Sequence, residues 1–375
     1  MSVPTDRPAV VEAQAWLCPL PMPQTLVLGA ISYTTRDYVV LRLTSDDGFT
    51  GYAVGYTRGT PLLEALQTIC RHLTGLPGHP TVVSRALHKQ LAPGWGSFAR
   101  AASLVDIALW DIEAQRLGTP LATVLGGNST DVPLMAVAGY FSDTRSVDEV
   151  VDETRRFVDD GYTTLKLILH GHDRAVDLDL YDRVRAAHPE TIAVAVDFHG
   201  AFDSPLQAVE HCAGLRERDV RFVEDPFPSA QWRQVAEFAQ RSGLPVASGE
   251  DLPGPSGYED LLAGGVSYLR VDVTASGGYT AGIAAVTAAE HWSAHIAPHV
   301  WPHFHAPLAA ASTSVAVVEV IPDYVGAEPL WALLTEKAPI VDGHWKTPTE
   351  PGLALPLDLD AVSHYASAQW HTEIA

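Results

Sequence analysis

The chain has 375 residues, 47% of them hydrophobic, enough for one large α/β barrel or two ordinary domains, and this excludes a disordered polypeptide. Its 24 basic against 45 acidic residues give a formal charge of −21, so an extended nucleic-acid footprint would work against a repulsive field. A small anionic substrate remains compatible if the site carries its own cations, whether a bound metal or local Lys, Arg and His.

The opening residues, MSVPTDRPAVVEAQAW, have no basic segment leading into an apolar one, and no later run reaches about 18 uninterrupted apolar residues. A soluble cytoplasmic protein with no membrane partner is expected. Cys18, Cys70 and Cys212 form neither a CxxC pair nor an even framework, which fits buried thiols in a reducing compartment. Residues 35–56, TRDYVVLRLTSDDGFTGYAVGY, alternate as two strands around Ser45-Asp46-Asp47-Gly48, a hairpin signal. Residues 97–118 then carry apolar side chains at helical spacing and stop at Gly118 and Pro120. Residues 1–130 therefore read as an α+β domain.

From 131 the pattern changes to short apolar strands alternating with amphipathic helices. Eight strands are predicted, at 132–139, 163–169, 192–197, 221–225, 245–250, 268–272, 295–299 and 315–320. Near-continuous apolar runs in β-α alternation predict a parallel sheet with both faces covered, closed into a TIM-type barrel over 131–330. An open doubly wound sheet is the competitor. It lacks a GxGxxG after the first strand, and the polar residues end many strands, not one switch point. Residues 331–375 hold two Pro/Gly-rich stretches and read as a return over the N-terminal domain.

The strand ends carry Lys166, Asp197 with His199, Glu224 with Asp225, Glu250 with Asp251, Asp272, His299 and Glu319. In a barrel these positions converge on the C-terminal mouth, where active sites of the fold are built. Asp197, Glu224 and Glu250 lie 27 and 26 residues apart, about one βα unit each. Three carboxylates without cysteine favour a hard cation, Mg²⁺ before Mn²⁺; each alone could equally cap the following helix. Asp272 and His299 end two later strands and suit a dyad in which the carboxylate orients a basic imidazole. Among 16 histidines, His291, His295, His303 and His305 crowd the same stretch, and the strand-end position within Ala297-Pro298-His299 selects His299.

The ordered segments ALWDIEAQRLGTPLATVLGG, GYTTLKL, VDFHG, FVEDPF, SGED, VDVTASGGYTAG and IAPH together resemble the enolase superfamily, in its mandelate-racemase-like branch with its acid-sugar dehydratases. The resemblance spans nearly the whole chain. It implies a (β/α)7β barrel with an α+β capping domain, a homo-oligomer, and Mg²⁺ held by Asp197, Glu224 and Glu250. It further implies an Asp272–His299 dyad and Glu319 hydrogen-bonding a substrate carboxylate oxygen. Such sites remove a proton beside a carboxylate, and the doubly charged ene-diolate that results needs a divalent cation and short hydrogen bonds.

Two departures sharpen the expectation. Many members carry Lys-x-Lys after the second barrel strand, whereas this chain keeps Lys166 and has Ile168 in the second place, so the opposite-face base of a racemase is missing. Lys166 is then expected to steer or polarise the substrate carboxylate, with His170 and His172 as nearby substitutes for lost functions. Asp197-Phe198-His199 resembles the Asp-x-His of galactonate and mannonate dehydratases. Alternation along a strand would turn His199 into the mouth with Asp197 and Phe198 into the wall. The expected activity is dehydration of an aldonate-type sugar acid to a 2-keto-3-deoxy acid, with His299 as base and His199 as acid. Epimerase, racemase or cycloisomerase chemistry on a carboxylate is the alternative. Tyr140 and Trp301 are candidate substrate contacts, residues 16–34 and 50–60 a candidate lid, and TASGGYTAG a tight turn.

Overall fold

A computed structural model describes residues 8–28, 31–127, 129–336 and 338–374. The opening residues 1–7 read for a leader, Gly29 and Ala30 of the expected lid, and Asn128, Lys337 and Ala375 of the expected domains lie outside the described residues.

The N-terminal unit is an antiparallel sheet of β1 (Val10–Leu28), β2 (Ile31–Ser45) and β3 (Thr50–Tyr56), followed by α1 (Leu62–Cys70), α2 (Pro80–Leu91) and α3 (Trp95–Arg116). The hairpin between β2 and β3 forms where the sequence places it, with Gly48 at φ +87°. β1 was not visible in the sequence because Pro19, Pro21 and Pro23 argue against a strand. The prolines are tolerated because β1 is paired on its other edge only over Glu12–Leu17, so their missing N–H groups break no second ladder. α3 is buried around nearly its whole circumference and seats the cap on the barrel. There Ser103 Oγ accepts from Gly277 N at 2.7 Å and Asp106 Oδ1 accepts from Thr280 N at 3.0 Å. A Cβ on Gly278 would lie 2.2 Å from Asp106 Oδ1, which is why the glycine pair of TASGGYTAG is there: it lets α3 approach.

After a single turn, α4 (Leu121–Val124), eight parallel strands follow: β4 (Asp131–Ala138), β5 (Thr164–Ile168), β6 (Ala193–Asp197), β7 (Val223–Glu224), β8 (Val246–Ser248), β9 (Tyr268–Leu269), β10 (His295–Ile296) and β11 (Val318–Val320). The helices between them are α5 (Val147–Asp159), α6 (Arg174–Ala187), α7 (Pro205–Cys212), α8 (Trp232–Ser242), α9 (Pro255–Ala263), α10 (Gly278–His291) and α11 (Pro302–Ala310). Strands pair in sequence order and β11 returns to β4. The step from β10 to β11 is bridged by Ile296 N to Ser314 O at 2.9 Å, Ala316 N to Ile296 O at 2.8 Å and Glu319 N to Pro298 O at 3.2 Å. Regular pairing is shorter than the apolar runs suggest, most of all in β7, β9 and β10, because the strand ends leave the ladder to present side chains at the mouth.

Inside the barrel, Met135, Ala195, Phe222, Ala247, Tyr268, Ala297 and Val317 form a small core separate from the main one. Two residues further along the same strands stand Asp197, Glu224, Arg270, His299 and Glu319. The two-residue period of extended chain therefore puts an apolar floor directly beneath a charged layer. The C-terminal segment adds β12 (Ile340–Val341) and β13 (His344–Lys346), the latter antiparallel to β4. It then forms α12 (Leu359–Tyr365) and β14 (Ala368–Glu373), which pairs with β1. Cys18, Cys70 and Cys212 are buried free thiols. Among the described residues no helix is long and apolar enough to cross a membrane.

Candidate active site

The cross-strand register builds the site. Ile168 pairs with Asp197, and Asp197 pairs with Glu224, so successive strand ends sit side by side. Lys166 points inward from β5, and its Nζ lies 2.7 Å from Glu319 Oε2, 2.9 Å from Asp197 Oδ2 and 3.1 Å from Glu224 Oε1. Burial alone would lower its proton affinity, but Asp197, Glu224 and Glu319 outweigh that and hold it well above the usual lysine range. As placed, Lys166 is a cation and not a free base.

A residue that the strand-end reasoning missed completes this cluster. Arg270 is fully buried; its Nε donates to Glu224 Oε1 at 2.9 Å, one terminal nitrogen bonds Glu319, and the other donates to Ala297 O at 2.6 Å. The available signal was an arginine inside an otherwise apolar strand, two residues before Asp272 and therefore on the same face. Burial works to raise Glu319, but Arg270 and Lys166 prevail and hold it at about 2. Glu319 is thus an acceptor here, and an arriving carboxylate would raise its proton affinity toward that of a donor.

Glu224 presents one oxygen to both cations, while its Oε2 is buried with no partner among the described residues. Burial pushes this carboxyl well above its ordinary range. Glu250 Oε1 accepts from the Arg58 guanidinium at 2.6 Å, and its Oε2 lies 3.5 Å from His299 Nε2. Burial opposes its ionisation, but His299 and Arg58 keep it well below the usual range. Among the described residues no three His, Cys, Asp or Glu side chains are already gathered at metal spacing, since Lys166 stands between Asp197 and Glu224.

The residues nevertheless suit a divalent cation. The orphaned Glu224 Oε2 needs a partner, and Asp197, Glu224 and Glu250 supply oxygen donors without cysteine, the kind a hard cation takes.

His299 Nδ1 lies 3.0 Å from Asp272 Oδ2, so the dyad predicted from the strand ends is assembled. His305 is not its rival. It is fully buried, its Nε2 accepting from Val273 N at 2.9 Å and its Nδ1 lying 2.7 Å from Val300 O, which fixes the neutral tautomer. His199 reaches the mouth by a different route from the one expected. β6 ends at Asp197, and His199 turns through φ +48°, its N–H donating to Asp197 Oδ1 at 2.9 Å. It is a turn residue, not a strand residue. Phe198 does enter the wall, against Phe202 at 4.9 Å between ring centroids. Burial depresses the proton affinity of His199, more than Asp197 raises it.

Tyr33, Arg36, Tyr56 and Arg58 from the cap meet Tyr140, His199, Glu250, His299, Val300, Trp301 and Ile321 around one cavity, leaving ≈ 30 Å³, room for a water or two. A larger cleft of ≈ 660 Å³ against β12 holds none of the predicted residues. His170 and His172 are exposed and off the cavity. Positive φ marks ten described non-glycine residues, and four of them, Arg58, His199, Val300 and Trp301, line this cavity. Strain concentrated at one place, including a β-branched valine, is a mark of function independent of charge.

A capped eight-stranded barrel whose mouth gathers acids, bases and strained backbone is an enzyme of the barrel class. Residues 12–126 match the mandelate racemase / muconate lactonizing enzyme N-terminal domain, and residues 149–361 match the enolase C-terminal domain-like family. The chain belongs to the mandelate racemase / muconate lactonizing enzyme branch of the enolase superfamily, as its motifs led one to expect. D-galactonate dehydratase of Verminephrobacter eiseniae is 29% identical over 296 residues, 70% of this chain and 71% of that protein. Muconate cycloisomerase 1 of Rhodococcus opacus is 27% identical over 387 residues, 94% of this chain and 97% of that protein. The crystal structure of an enolase from Bradyrhizobium complexed with magnesium and mandelic acid has a TM-score of 0.86 and 26% identity, over 96% of this chain and 99% of that one.

Proposed function

We propose that this protein is a Mg²⁺-dependent dehydratase of an aldonate-type sugar acid, yielding a 2-keto-3-deoxy acid. The observation that carries the reading is that two histidines of different environment, His199 and the Asp272-oriented His299, line one cavity. Asp197, Glu224 and Glu250 would hold the metal, which when bound supplies positive charge to the substrate carboxylate. Lys166, kept cationic, faces the same carboxylate, and Glu319 lies against it. His299 removes the proton from C2. His199 delivers a proton to the C3 hydroxyl as it departs, and the enol product tautomerises to the keto acid. The cavity is too small for a six-carbon acid as it stands, so the cap must withdraw from the mouth for entry.

A cycloisomerase or epimerase is the second reading, favoured by the nearly full-length match to muconate cycloisomerase 1. Ile168, buried and unable to exchange a proton, speaks against two-base chemistry. The test is to incubate the purified protein with Mg²⁺ and a library of aldonates and aldarates, detecting 2-keto-3-deoxy acids. Formation of such an acid supports dehydration; C2 exchange or isomerisation without loss of water transfers support to the second reading.

A further inference from the structure

The cap contributes one cation to the cavity whose charge is already spent. Arg36 is 8% exposed and lines the cavity, and its Nη1 donates to Glu328 Oε2 at 3.3 Å. Its Nε is buried without an acceptor among the described residues, and its one side-chain hydrogen bond among them is the one to Glu328. Glu328 is itself fully engaged: Trp301 Nε1 donates to Oε2 at 2.9 Å, Leu330 N donates to Oε1 at 3.0 Å, and the Tyr38 hydroxyl bonds Oε1. The pair is therefore rigid, electrically neutral and rich in unused donors. It also fixes Trp301, whose ring stands 6.0 Å from that of His299.

Resting on the dehydratase reading above, we infer that Arg36 determines specificity at the part of the substrate that the cap covers. It takes a hydroxyl oxygen there and rejects a second carboxylate. A donor without an acceptor is satisfied by any oxygen. A second anion would additionally need an uncompensated cation to offset its desolvation, and Glu328 has removed the one Arg36 could supply. Arg58, the other cap cation at the cavity, is likewise committed, to Glu250 at 2.6 Å and Asp251 at 3.5 Å. Discrimination between a monocarboxylic and a dicarboxylic sugar acid thus lies in the Glu328 charge as much as in Arg36.

The test uses the Mg²⁺-loaded protein with matched pairs, galactonate with galactarate and gluconate with glucarate, measuring turnover and, separately, binding by calorimetry. Wild type should prefer the aldonate of the pair it accepts. Arg36→Met should raise KM for it about tenfold with kcat nearly constant, the signature of lost uniform binding. Glu328→Gln, which frees the Arg36 charge, should shift the aldonate-to-aldarate ratio of kcat/KM toward the aldarate by about tenfold. Should Arg36→Met fold poorly, Arg36→Lys keeps the ion pair and should still raise KM. An aldarate preferred by wild type, or a ratio unmoved by Glu328→Gln, overturns the inference while sugar-acid dehydration stands. Arg36-dependent binding of aldonate without dehydration overturns the dehydratase reading and supports the inference. If no sugar acid binds, both fall.

Discussion

His299 and Asp272 come from strands 27 positions apart and meet with Nδ1 3.0 Å from Oδ2, while Thr274 fixes the other Asp272 oxygen through its N–H and its hydroxyl, each at 2.7 Å. The carboxylate can therefore neither rotate nor leave the imidazole. Asp272→Asn should lower kcat by about 10²- to 10⁴-fold, because the amide no longer enforces the tautomer that leaves Nε2 free to take a proton. Mg²⁺ affinity, measured by calorimetry, should stay close to wild type, since Asp272 is outside the proposed ligand set.

Arg270 lies between Glu224 and Glu319 with no exposed surface. Arg270→Met leaves both carboxylates facing one lysine and should cost about 3–5 kcal/mol in urea unfolding. Adding Glu319→Gln to that variant should restore part of the loss, because the uncompensated charge, not the missing packing, accounts for most of it.

Glu224 Oε2 is buried without a partner among the described residues, and it should report the cation directly. Mg²⁺ at about 100 times its Kd should stabilise the wild type by about 2.7 kcal/mol, seen as a rise in Tm that a chelator reverses. Glu224→Gln should abolish most of that rise, as should Asp197→Asn.

His303 is buried against Trp331 and Trp345 with neither ring nitrogen partnered among the described residues, and burial depresses it to about 3. The unfolded chain takes up this proton near the ordinary histidine pKa of about 6.5 and the folded protein does not, so stability is lost as pH falls from about 6.5 toward 3. At pH 4.5 the loss from this one group is about 2–3 kcal/mol. His303→Leu should show a correspondingly smaller fall in Tm between pH 7 and 4.5 than wild type.

The sequence made the barrel legible because a strand buried on both faces has no freedom to be polar except at its ends. Asp197, Glu224, Asp272 and His299 stood out for that reason. Arg270 was hidden by the same rule, lying two residues before a strand end, where an inward charge needs buried partners that only the closed barrel supplies. Arg36, Arg58 and Glu328 were beyond reach, since their roles depend on how the cap meets the barrel and no local pattern encodes that contact. His199 was placed at the mouth by a strand alternation that does not extend to it; the Gly200 that follows and the hydrogen bond to Asp197 carry the turn instead. β1 went unseen because its prolines are permitted by a free edge, a property of the sheet and not of the segment.

The division of labour between the two histidines is the core of the account, and solvent deuterium separates it most directly. In D₂O with Mg²⁺ and the accepted aldonate, His299→Asn should show neither C2 exchange nor dehydration, while His199→Asn should exchange the C2 proton and release little or no 2-keto-3-deoxy acid. Dehydration by His199→Asn at the wild-type rate, or C2 exchange surviving in His299→Asn, would contradict it.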